Sequence, residues 1–583
     1  MKAKFFETVD KAGEVILRYP VVLLMALVMA AATIYQLDLD YSNREMGFWI
    51  LKIILVFSLG ISLMFALKIL SQRIGKGFLL QSLGILFLIG FYFILPANED
   101  DFTEVYAFLL IPIYILSHLL VSFVAFLSRK NPETDFWQYN KNLFVNLVLT
   151  LIFTGVLTGG VELAVLAVDN LFNAGFDSEV YGKIFMALAI LGSVFIFLLF
   201  NETGLHSLEK KGAYPVVLKF FTQFILIPLL SIYLVILYAY SIKILINWEL
   251  PRGWVSYLVL AYSLIGILAL LLVHPLKDET AKSWVKIFSK TFYFTLIPLV
   301  FLLFTAIFTR VLEYGYTEPR YFVLLLAIWL SVVVLYFIFW RNPSIKFIPV
   351  SLFLFGLFAL VFPYLNTFSV AKRSQKNQLE QILIENELLK DGSINFSKVV
   401  ADSVLYEIEN KFEFLDDRFQ RDYIENYFEE SARKNLPGRG NWNLHSYFKN
   451  VENTTIPYAR SEFLKLVSGQ SFIETDGYQF IVLPDELAGD GAKLNGDQFL
   501  LNNQDNNFKL SLNNAQSVDF LPLIEELFEP YKGSRNNRDV EKLFVETDLG
   551  TYHVKVHFKS IHRSDGTEPI YWFDDPLFLI KKN

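Results

Sequence analysis

The chain has 583 residues, of which 54% are hydrophobic and only 19% charged, and it carries 51 Lys and Arg against 58 Asp and Glu. So apolar a composition excludes an ordinary soluble protein. Cysteine is absent, which excludes disulfides, thiolate catalysis and cysteine-ligated zinc or iron–sulfur sites.

The first 19 residues have the pattern of an amphipathic helix. One face carries the apolar residues Phe5, Phe6, Val9, Ala12, Ile16 and Leu17, and the other face is charged. We predict that residues 1–19 form a helix lying in the membrane interface. A cleavable signal peptide is the alternative, because AAAT follows the next apolar run, although acidic residues near the start disfavour it.

Long apolar runs dominate residues 20–365. About 20 helical residues cross a hydrocarbon core of ~30 Å, and a long series of such runs indicates a polytopic membrane domain rather than buried core helices. We predict eleven transmembrane helices, at residues 20–37, 48–70, 78–95, 105–127, 143–168, 183–200, 221–246, 254–274, 292–308, 321–340 and 345–364.

The distribution of basic residues predicts the orientation of these helices. With the N-terminus inside, the inner loops hold 18 Lys and Arg and the short outer loops hold 5. Basic residues accumulate on the cytoplasmic side of membrane proteins. We therefore predict a cytoplasmic N-terminus, and an odd number of crossings then places the C-terminal domain outside the cytoplasm.

The first outer loop, YQLDLDYSNRE, carries two carboxylates. Asp38 and Asp40 are of the type that holds a divalent ion in membrane-embedded transferases that act on lipids or lipid-linked sugars. The loop has about ten residues, which is short for such an enzyme.

The fifth span contains a polar stripe with a carboxylate. Thr150, Thr154, Thr158 and Glu162 are spaced by four, and Asp169 follows Glu162 by seven. Gly155 and Gly159 form a GxxxG pair, which predicts close approach of another helix. An acidic group inside the membrane costs ~2.5–3.5 kcal/mol on insertion scales, so it should face a partner helix or an aqueous cavity.

Two interpretations of this stripe remain open. Glu162 either ties helices together through hydrogen bonds or forms part of an ion, proton or substrate site together with Thr154, Thr158 and Asp169. Lys243, in the seventh span, is a candidate ion-pair partner, and the alternative is a lysine that extends to the membrane surface.

The outer loop between spans nine and ten, RVLEYGYTEPRY, is rich in charge. Gly315 and Pro319 predict a turn. Its candidate site residues are Arg310, Glu313, Glu318 and Arg320. These side chains either pair locally in a well-ordered loop, or the two arginines line a mouth that receives an anionic group.

Residues 366–583 are polar and carry 25 Lys and Arg against 35 Asp and Glu. This acidic balance argues against nucleic acid as a partner. We predict a helical linker over 366–436 and an α+β soluble domain over 437–583, with short strands and one helix at 519–530. His553 and His557 share a strand face, but no further ligand is evident, so we predict no metal and no cofactor.

Four blocks carry a family resemblance: FWQYNKNLF at 136–144, LPRGWVSYLVLAYSLIGILALLLVHP at 250–275, TRVLEYGYTEPRY at 309–321 and FSVAKRSQKNQLEQILIENELLKDGSI at 368–394. Over residues 15–400 the chain resembles the bacterial polytopic membrane proteins grouped as domain of unknown function 4153, in a longer form with an extra C-terminal domain. The resemblance implies an inner-membrane location and transfers no catalytic residue.

The expected fold class is an α-helical polytopic membrane protein of about eleven spans with a C-terminal α+β soluble domain. No Walker loop, GxSxG elbow or HExxH helix occurs in a usable context, which disfavours an enzyme. We expect a transporter-like or scaffold membrane domain, with the lipid bilayer as one partner and an envelope protein as a further partner of an exported sensing domain. The alternative is the membrane-embedded transferase.

Overall fold

The computed structural model describes most of the chain. The described residues are 2–39, 43–127, 132–212, 214–247, 254–276, 283–390, 392–433 and 436–583, the last without 437, 440–441, 443, 445–446, 449–450, 453–462, 471, 488–490, 503–506, 514, 532–537, 565–569 and 575. The chain forms two compact units, Met1–Glu452 and Asn453–Asn583.

The first unit begins with α1 (Lys2–Arg18), followed by the membrane helices. Ten helices in the described part of the chain are long and apolar enough to cross a membrane, and α15 is shorter, with 15 residues. The helices are α2 (Pro20–Leu37), α3 (Arg44–Ile74), α4 (Gly77–Ile94), α5 (Val105–Phe123), α6 (Glu133–Phe172), α7 (Ser178–Ala187), α8 (Ser193–Phe200), α9 (Leu205–Leu208), α10 (Val216–Phe220), α11 (Ile227–Asn247), α12 (Trp254–Val273), α13 (Ser283–Tyr314), α14 (Glu318–Phe339) and α15 (Phe347–Val361).

Two spans are composite helices. A π-helical turn at Leu188–Gly192 joins α7 to α8, and another at Phe221–Leu226 joins α10 to α11. Because a π turn widens the helix by one residue, the flanking segments change register without breaking. The predicted sixth and seventh spans therefore exist as continuous helices, each with one irregular turn.

Contacts between loops group the helix ends into two sets. At one end of the bundle, the Tyr19 hydroxyl donates to the carbonyl of Asn201 at 3.0 Å, and Glu133 accepts from the backbone N–H of Ile345 at 2.6 Å. These positions belong to the predicted inner loops. They therefore lie at the same ends of their helices that the alternation of loops requires.

The other end of the bundle collects the predicted outer loops. Asp38 forms an ion pair with Lys183, and the Tyr321 hydroxyl donates to the carbonyl of Leu365 at 2.7 Å. Since Ile345 and Leu365 flank α15 and lie at opposite ends, this short helix also crosses the bundle. The arrangement is consistent with the predicted eleven spans.

A helical region follows the membrane helices within the same unit. It comprises α16 (Thr367–Glu385), α17 (Asp402–Asp416), α18 (Arg421–Glu425) and α19 (Glu430–Arg433), with short strands β1 (Leu389–Lys390), β2 (Ser393–Ile394), β3 (Val400–Ala401) and β4 (Val451–Glu452). Trp442, Leu444 and Phe448 pack into the same apolar core as Leu379 and Leu383. The helical region thus extends to Glu452, beyond the predicted limit at residue 436.

The second unit is built from antiparallel strands around one apolar core. Its strands are β5 (Phe463–Ser468), β6 (Phe480–Val482), β7 (Ala492–Leu494), β8 (Asp497–Asn502), β9 (Lys509–Leu512), β10 (Gln516–Asp519), β11 (Arg538–Val540), β12 (Phe544–Leu549), β13 (Tyr552–His557), β14 (Ser560–Ser564), β15 (Tyr571–Asp574) and β16 (Leu577–Lys582).

These strands form three four-stranded sheets, in the orders β10-β9-β8-β7, β11-β5-β14-β15 and β12-β13-β16-β6. Only β11 and β5 pair in parallel among the strands described in these three sheets. Helices α20 (Pro484–Leu487) and α21 (Leu521–Phe528) complete the unit. The predicted α+β class is confirmed.

Candidate functional site

The polar stripe of α6 is longer than the sequence analysis identified. Gln138, Asn142 and Asn146 precede Thr150 at the same spacing of four, so a polar residue recurs at every fourth position up to Glu162. An i±4 row winds slowly around a helix, and a neighbouring helix that crosses at an angle can follow it. At ~1.5 Å per residue the row is about as long as the hydrocarbon core is thick.

The half of the stripe at the predicted inner end of α6, called the inner half, is hydrogen-bonded. Asn142 donates to the carbonyl of Leu208 at 2.7 Å, and Asn146 donates to the side-chain oxygen of Asn201 at 3.0 Å. The Thr150 hydroxyl donates to the carbonyl of Asn146 at 2.7 Å. These bonds tie α6 to the loop after α8, so this half has a structural role.

The half at the predicted outer end of α6, called the outer half, is different. The Thr154 and Thr158 hydroxyl oxygens and Glu162 Oε1 are buried, and none of them has a hydrogen-bond partner within the described part of the chain. A threonine in a helix ordinarily donates back to the carbonyl four residues earlier, as Thr150 does. The outer half of the stripe therefore holds three buried oxygens with unused hydrogen-bonding capacity.

The helix that packs on this half contains a π turn. Few residues of α6 are buried, and in its membrane part they are Thr150, Thr154 and Thr158. Helix α6 packs there against α7, the π turn at Leu188–Gly192 and α8. π turns occur frequently at functional sites because they leave backbone groups less regularly paired. The unpaired hydroxyls thus face a helix with an irregular backbone.

The predicted glycine contact is not made by any residue that the structure describes. A side chain added at Gly155 or Gly159 would meet nothing within 4 Å, so both glycines lie on an open face of α6. Close packing on α6 is made instead by the threonine edge. The GxxxG prediction of an approaching helix was wrong for the described part of this chain.

Asp169 and Lys243 do not bind Glu162. Asp169 accepts hydrogen bonds from the backbone N–H of Phe176 at 3.0 Å and from the Tyr181 hydroxyl at 3.1 Å, which holds the turn between α6 and α7. Tyr181 is also close enough to Glu162 for an electrostatic interaction. The Lys243 side chain is exposed on α11 and forms no ion pair with Glu162 among the described residues.

The predicted divalent-ion site is represented by Asp38 alone, since Asp40 lies outside the described residues. Asp38 forms an ion pair with Lys183, and Lys183 also contacts Glu179 at 3.5 Å. An ammonium group at this carboxylate competes directly with a divalent cation. The geometry therefore gives Asp38 a role in joining α2 to α7.

Glu318 forms the most buried ion pair of the first unit described here. Its carboxylate accepts from Arg418 Nε at 2.7 Å and Nη2 at 2.8 Å, and the two side chains are 0% and 3% exposed. Arg418 Nη1 donates to the carbonyl of Phe414 at 2.8 Å. Glu104, which is 65% exposed, lies 3.5 Å from Nη2. The predicted local pairing of Glu318 was wrong, because its partner comes from a segment 100 residues away.

Further contacts join the helical region to the same loops. The Thr103 hydroxyl donates to the carbonyl of Asp417 at 3.1 Å, and Arg439 pairs with Asp101 at 3.0 Å. Burial raises the pKa of the Asp417 carboxyl. These contacts hold the helical region against the predicted outer ends of the spans.

Gly315 fits a close approach in this interface. Its φ is +72°, a conformation that side-chain-bearing residues rarely adopt, and a side chain there would meet Gln375 and Ser374. Gln375 donates to the carbonyls of Tyr314 at 3.1 Å and Tyr316 at 2.8 Å. The predicted turn around Gly315 is confirmed, and it allows α16 to pack closely against this loop.

The remaining polar groups form no metal centre in the described residues. His553 bonds to Asp548 at 2.8 Å, whereas His557 is buried and burial lowers the pKa of its imidazole. No group of three or more His, Asp or Glu side chains among the described residues is arranged to hold an ion. The two histidines therefore differ in setting, because His557 is buried beside Phe544 whereas His553 bonds to a carboxylate.

A cavity of about 270 Å³ lies at the predicted inner ends of α12 to α15. Its lining is apolar apart from His274, Ser289 and Lys290, with Tyr293 and Phe337 forming part of its wall. None of the predicted site residues lines it. It is a separate feature from the polar stripe.

Comparisons with known proteins identify the family. The uncharacterized protein PM1469 of Pasteurella multocida (strain Pm70) is 27% identical over 290 residues, which is 49% of this chain and 48% of that protein. The chain thus spans about half the length of the curated relative it matches. No solved structure matches the chain. The profile of one family matches residues 20–399, which include the polar stripe and Glu318 but end before Arg418, and the chain therefore belongs to the family described as domain of unknown function DUF4153.

Proposed function

We propose that the membrane domain is transporter-like and that the outer half of the α6 stripe binds a proton or a small monovalent cation. The observation that carries the proposal is the row of three buried, unpaired oxygens on Thr154, Thr158 and Glu162. Carboxylate and hydroxyl oxygens are hard ligands that suit protons and small cations. Intramembrane carboxylates are typical of ion and proton pathways.

If these groups had a purely structural role, their burial without hydrogen bonds would cost free energy. A buried hydroxyl without a hydrogen bond costs ~1–3 kcal/mol, and an ionised carboxylate costs more. Thr150 shows how the same helix satisfies a hydroxyl through the carbonyl of Asn146. The cost is understandable if the oxygens serve a bound cation.

The surrounding groups support an access route from the outer end. Glu162 interacts electrostatically with Tyr181, whose hydroxyl donates to Asp169 near the end of α6. Polar side chains therefore continue from Glu162 to the helix terminus. A proton or cation entering beside Asp169 would meet acceptor oxygens at each step toward Thr154.

The test is flux through the purified full-length chain in liposomes under an imposed membrane potential. We expect wild-type protein to move protons, Na⁺ or K⁺ and Glu162→Gln to lose that flux, because the amide cannot take up a proton or balance a cation. Glu179→Gln is the matched control, since Glu179 is 62% exposed near the end of the neighbouring helix. Flux of all three ions at the level of empty liposomes would reject the proposal.

The alternative transferase function receives less support. Its candidate carboxylate, Asp38, pairs with Lys183. Activity on lipid-linked sugar that is lost in Asp38→Asn, in protein that still folds, would revive it.

We further propose that the second unit binds an envelope protein. Strand β6 lies at the edge of its sheet, and Ile481 and the adjoining Leu483 are 57% and 58% exposed. Exposed apolar edges are typical of strand-mediated recognition. A photo-crosslinker at Ile481 should give one discrete adduct in cells, and Leu483→Lys should abolish it; an identical adduct pattern in that variant would contradict the proposal.

We propose the bacterial inner membrane as the location, with a cytoplasmic N-terminus and an extracytoplasmic second unit. The excess of basic residues in one set of loops supports this orientation. A periplasm-specific reporter fused after Asn583 should be active. Activity of a cytoplasm-specific reporter at the same position would contradict it.

A further inference from the structure

We propose that Arg310, Arg320 and Lys411 form a binding site for a phosphate group at the outer ends of α13 and α14. This site is separate from the cation site of α6 and does not depend on it. The three side chains come from α13, α14 and α17. We call them the basic cluster.

The basic cluster is organised around one backbone carbonyl. The Tyr314 oxygen accepts from Arg320 Nη1 at 3.2 Å, from Lys411 Nζ at 3.5 Å and from Gln375 Nε2 at 3.1 Å. A carbonyl has two lone pairs, so three donors exceed what it can satisfy well. Arg320 Nη1 also donates to the carbonyl of Gly315 at 2.8 Å, so the donors left over for an anion are Arg320 Nε and Nη2 and the third proton of Lys411 Nζ. Arg310 lies close enough to Arg320 to repel it electrostatically.

The nearby carboxylates form no ion pair with this cluster in the described structure, although Glu313 attracts Arg320 and Glu407 attracts Lys411 electrostatically. Glu318 forms its ion pair with Arg418 instead. Glu313 and Glu407 are exposed, and neither forms an ion pair with the cluster among the described residues. Three positive charges thus share one place without a carboxylate within 4 Å in the described structure. Such an arrangement favours an anion with several acceptor oxygens.

Lys411 is held in an unfavourable setting. Its Nζ donates to Gln375 Oε1 at 2.6 Å, and burial, followed by repulsion from Arg320, lowers the pKa of its ammonium to about 8. An anion bound between Lys411 and Arg320 would offset both effects. Arginine and lysine together provide the planar fork and the point charge that commonly bind phosphate.

The location limits the source of the phosphate. Helix α13 ends at Tyr314 and α14 begins at Glu318, so the basic cluster lies where membrane spans end. The phosphates of lipid headgroups occupy this level of a bilayer, and free phosphate reaches it from the aqueous phase. Both sources present the same tetrahedral anion.

The experiment has two arms on the purified full-length chain. In neutral detergent, inorganic phosphate is titrated and the thermal unfolding temperature is followed. In nanodiscs of phosphatidylcholine with a minor share of phosphatidylglycerol, the lipid that remains bound after extraction into neutral detergent is measured. The variants are Arg310→Gln, Arg320→Gln and Lys411→Gln, with Lys411→Arg as the charge-retaining variant and the exposed Lys390→Gln as the matched control.

We expect each neutral variant to weaken binding about tenfold, since one charge-assisted hydrogen bond is worth about one such step. Lys411→Arg and Lys390→Gln should bind as wild type. Retained phosphatidylglycerol identifies a lipid headgroup, and stabilisation by inorganic phosphate without lipid preference identifies free phosphate. No binding in either arm, or equal binding in the wild type and all three neutral variants, would overturn the proposal. Lys411→Arg and circular dichroism separate loss of binding from loss of folding.

Discussion

Breaking the Glu318–Arg418 pair should release the helical region from the membrane domain. In Glu318→Gln the guanidinium of Arg418 stays buried at 3% exposure but loses its bidentate carboxylate. Removing one partner of a buried ion pair costs ~3–5 kcal/mol, because the remaining charge is left uncompensated. At about 1.4 kcal/mol per factor of ten, the open population should rise by roughly 10² to 10⁴.

Limited proteolysis within residues 367–452 measures that population, because cleavage of a transiently opened segment follows the opening equilibrium when reclosing is fast. The matched control is Glu104→Gln. Glu104 contacts the same arginine at 3.5 Å but is 65% exposed, and such pairs are worth less than ~1 kcal/mol. Glu104→Gln should therefore change cleavage by less than about tenfold.

Two results would refute this reasoning. Equal cleavage rates for the two glutamate variants would mean that burial does not set the value of the pair. Replacing both partners, in Glu318→Leu with Arg418→Met, should recover most of the lost protection, since neither charge then remains buried. If the double variant opens as readily as Glu318→Gln, the effect comes from altered packing rather than from an uncompensated charge.

Thr154→Val and Thr158→Val should raise the thermal unfolding temperature in detergent, because each removes a buried, unpaired hydroxyl that costs ~1–3 kcal/mol. Both variants should also lower ion flux in liposomes. Unchanged flux would mean that the stripe has only a structural role. The free energy of unfolding should rise between pH 8 and 10.5. The ammonium of Lys411 has a pKa of about 8 in the folded chain and 10.5 in the unfolded chain, so the unfolded chain binds more protons in this window. Arg320 enhances this effect and Glu407 opposes it. Lys411→Gln should flatten the rise in pH-dependent unfolding curves, and an identical slope in that variant would contradict the assignment.

The membrane class followed from sequence because span length and apolarity are local properties. Run length alone was sufficient for ten helices, and α15 was also recognised although it has only 15 residues. The presence of short strands in the second unit was recognised for the same reason, since alternation of apolar residues is local. Their grouping into three sheets depends on long-range pairing and was not predicted.

The polar stripe was found only in part. The spacing of four continues back from Thr150 through Asn146 and Asn142, and counting farther along the helix would have found it. The open setting of Gly155 and Gly159 was not predictable, because a GxxxG pair does not indicate whether its partner belongs to the same chain.

The ion-pair partners were predicted least well. Pairing of Glu318 within its own loop was one of the two alternatives left open, and the sequence contains no local signal for Arg418, which lies 100 residues later. The pairing of charges that are buried between distant segments depends on tertiary contacts, which a single sequence does not show.

The same separation has a consequence for biogenesis. Ribosomes add ~5–20 residues per second, so the carboxylate of Glu318 waits about 5–20 seconds before Arg418 is synthesised. During that interval the carboxylate of Glu318, at the start of α14, has no Arg418 to pair with. It must be hydrated or protonated instead. Formation of the Glu318–Arg418 pair is therefore coupled to translation of the segment that follows the membrane helices. A ribosome that stalls between the codons for Glu318 and Arg418 leaves a product with an unpaired carboxylate, which quality-control proteases can recognise.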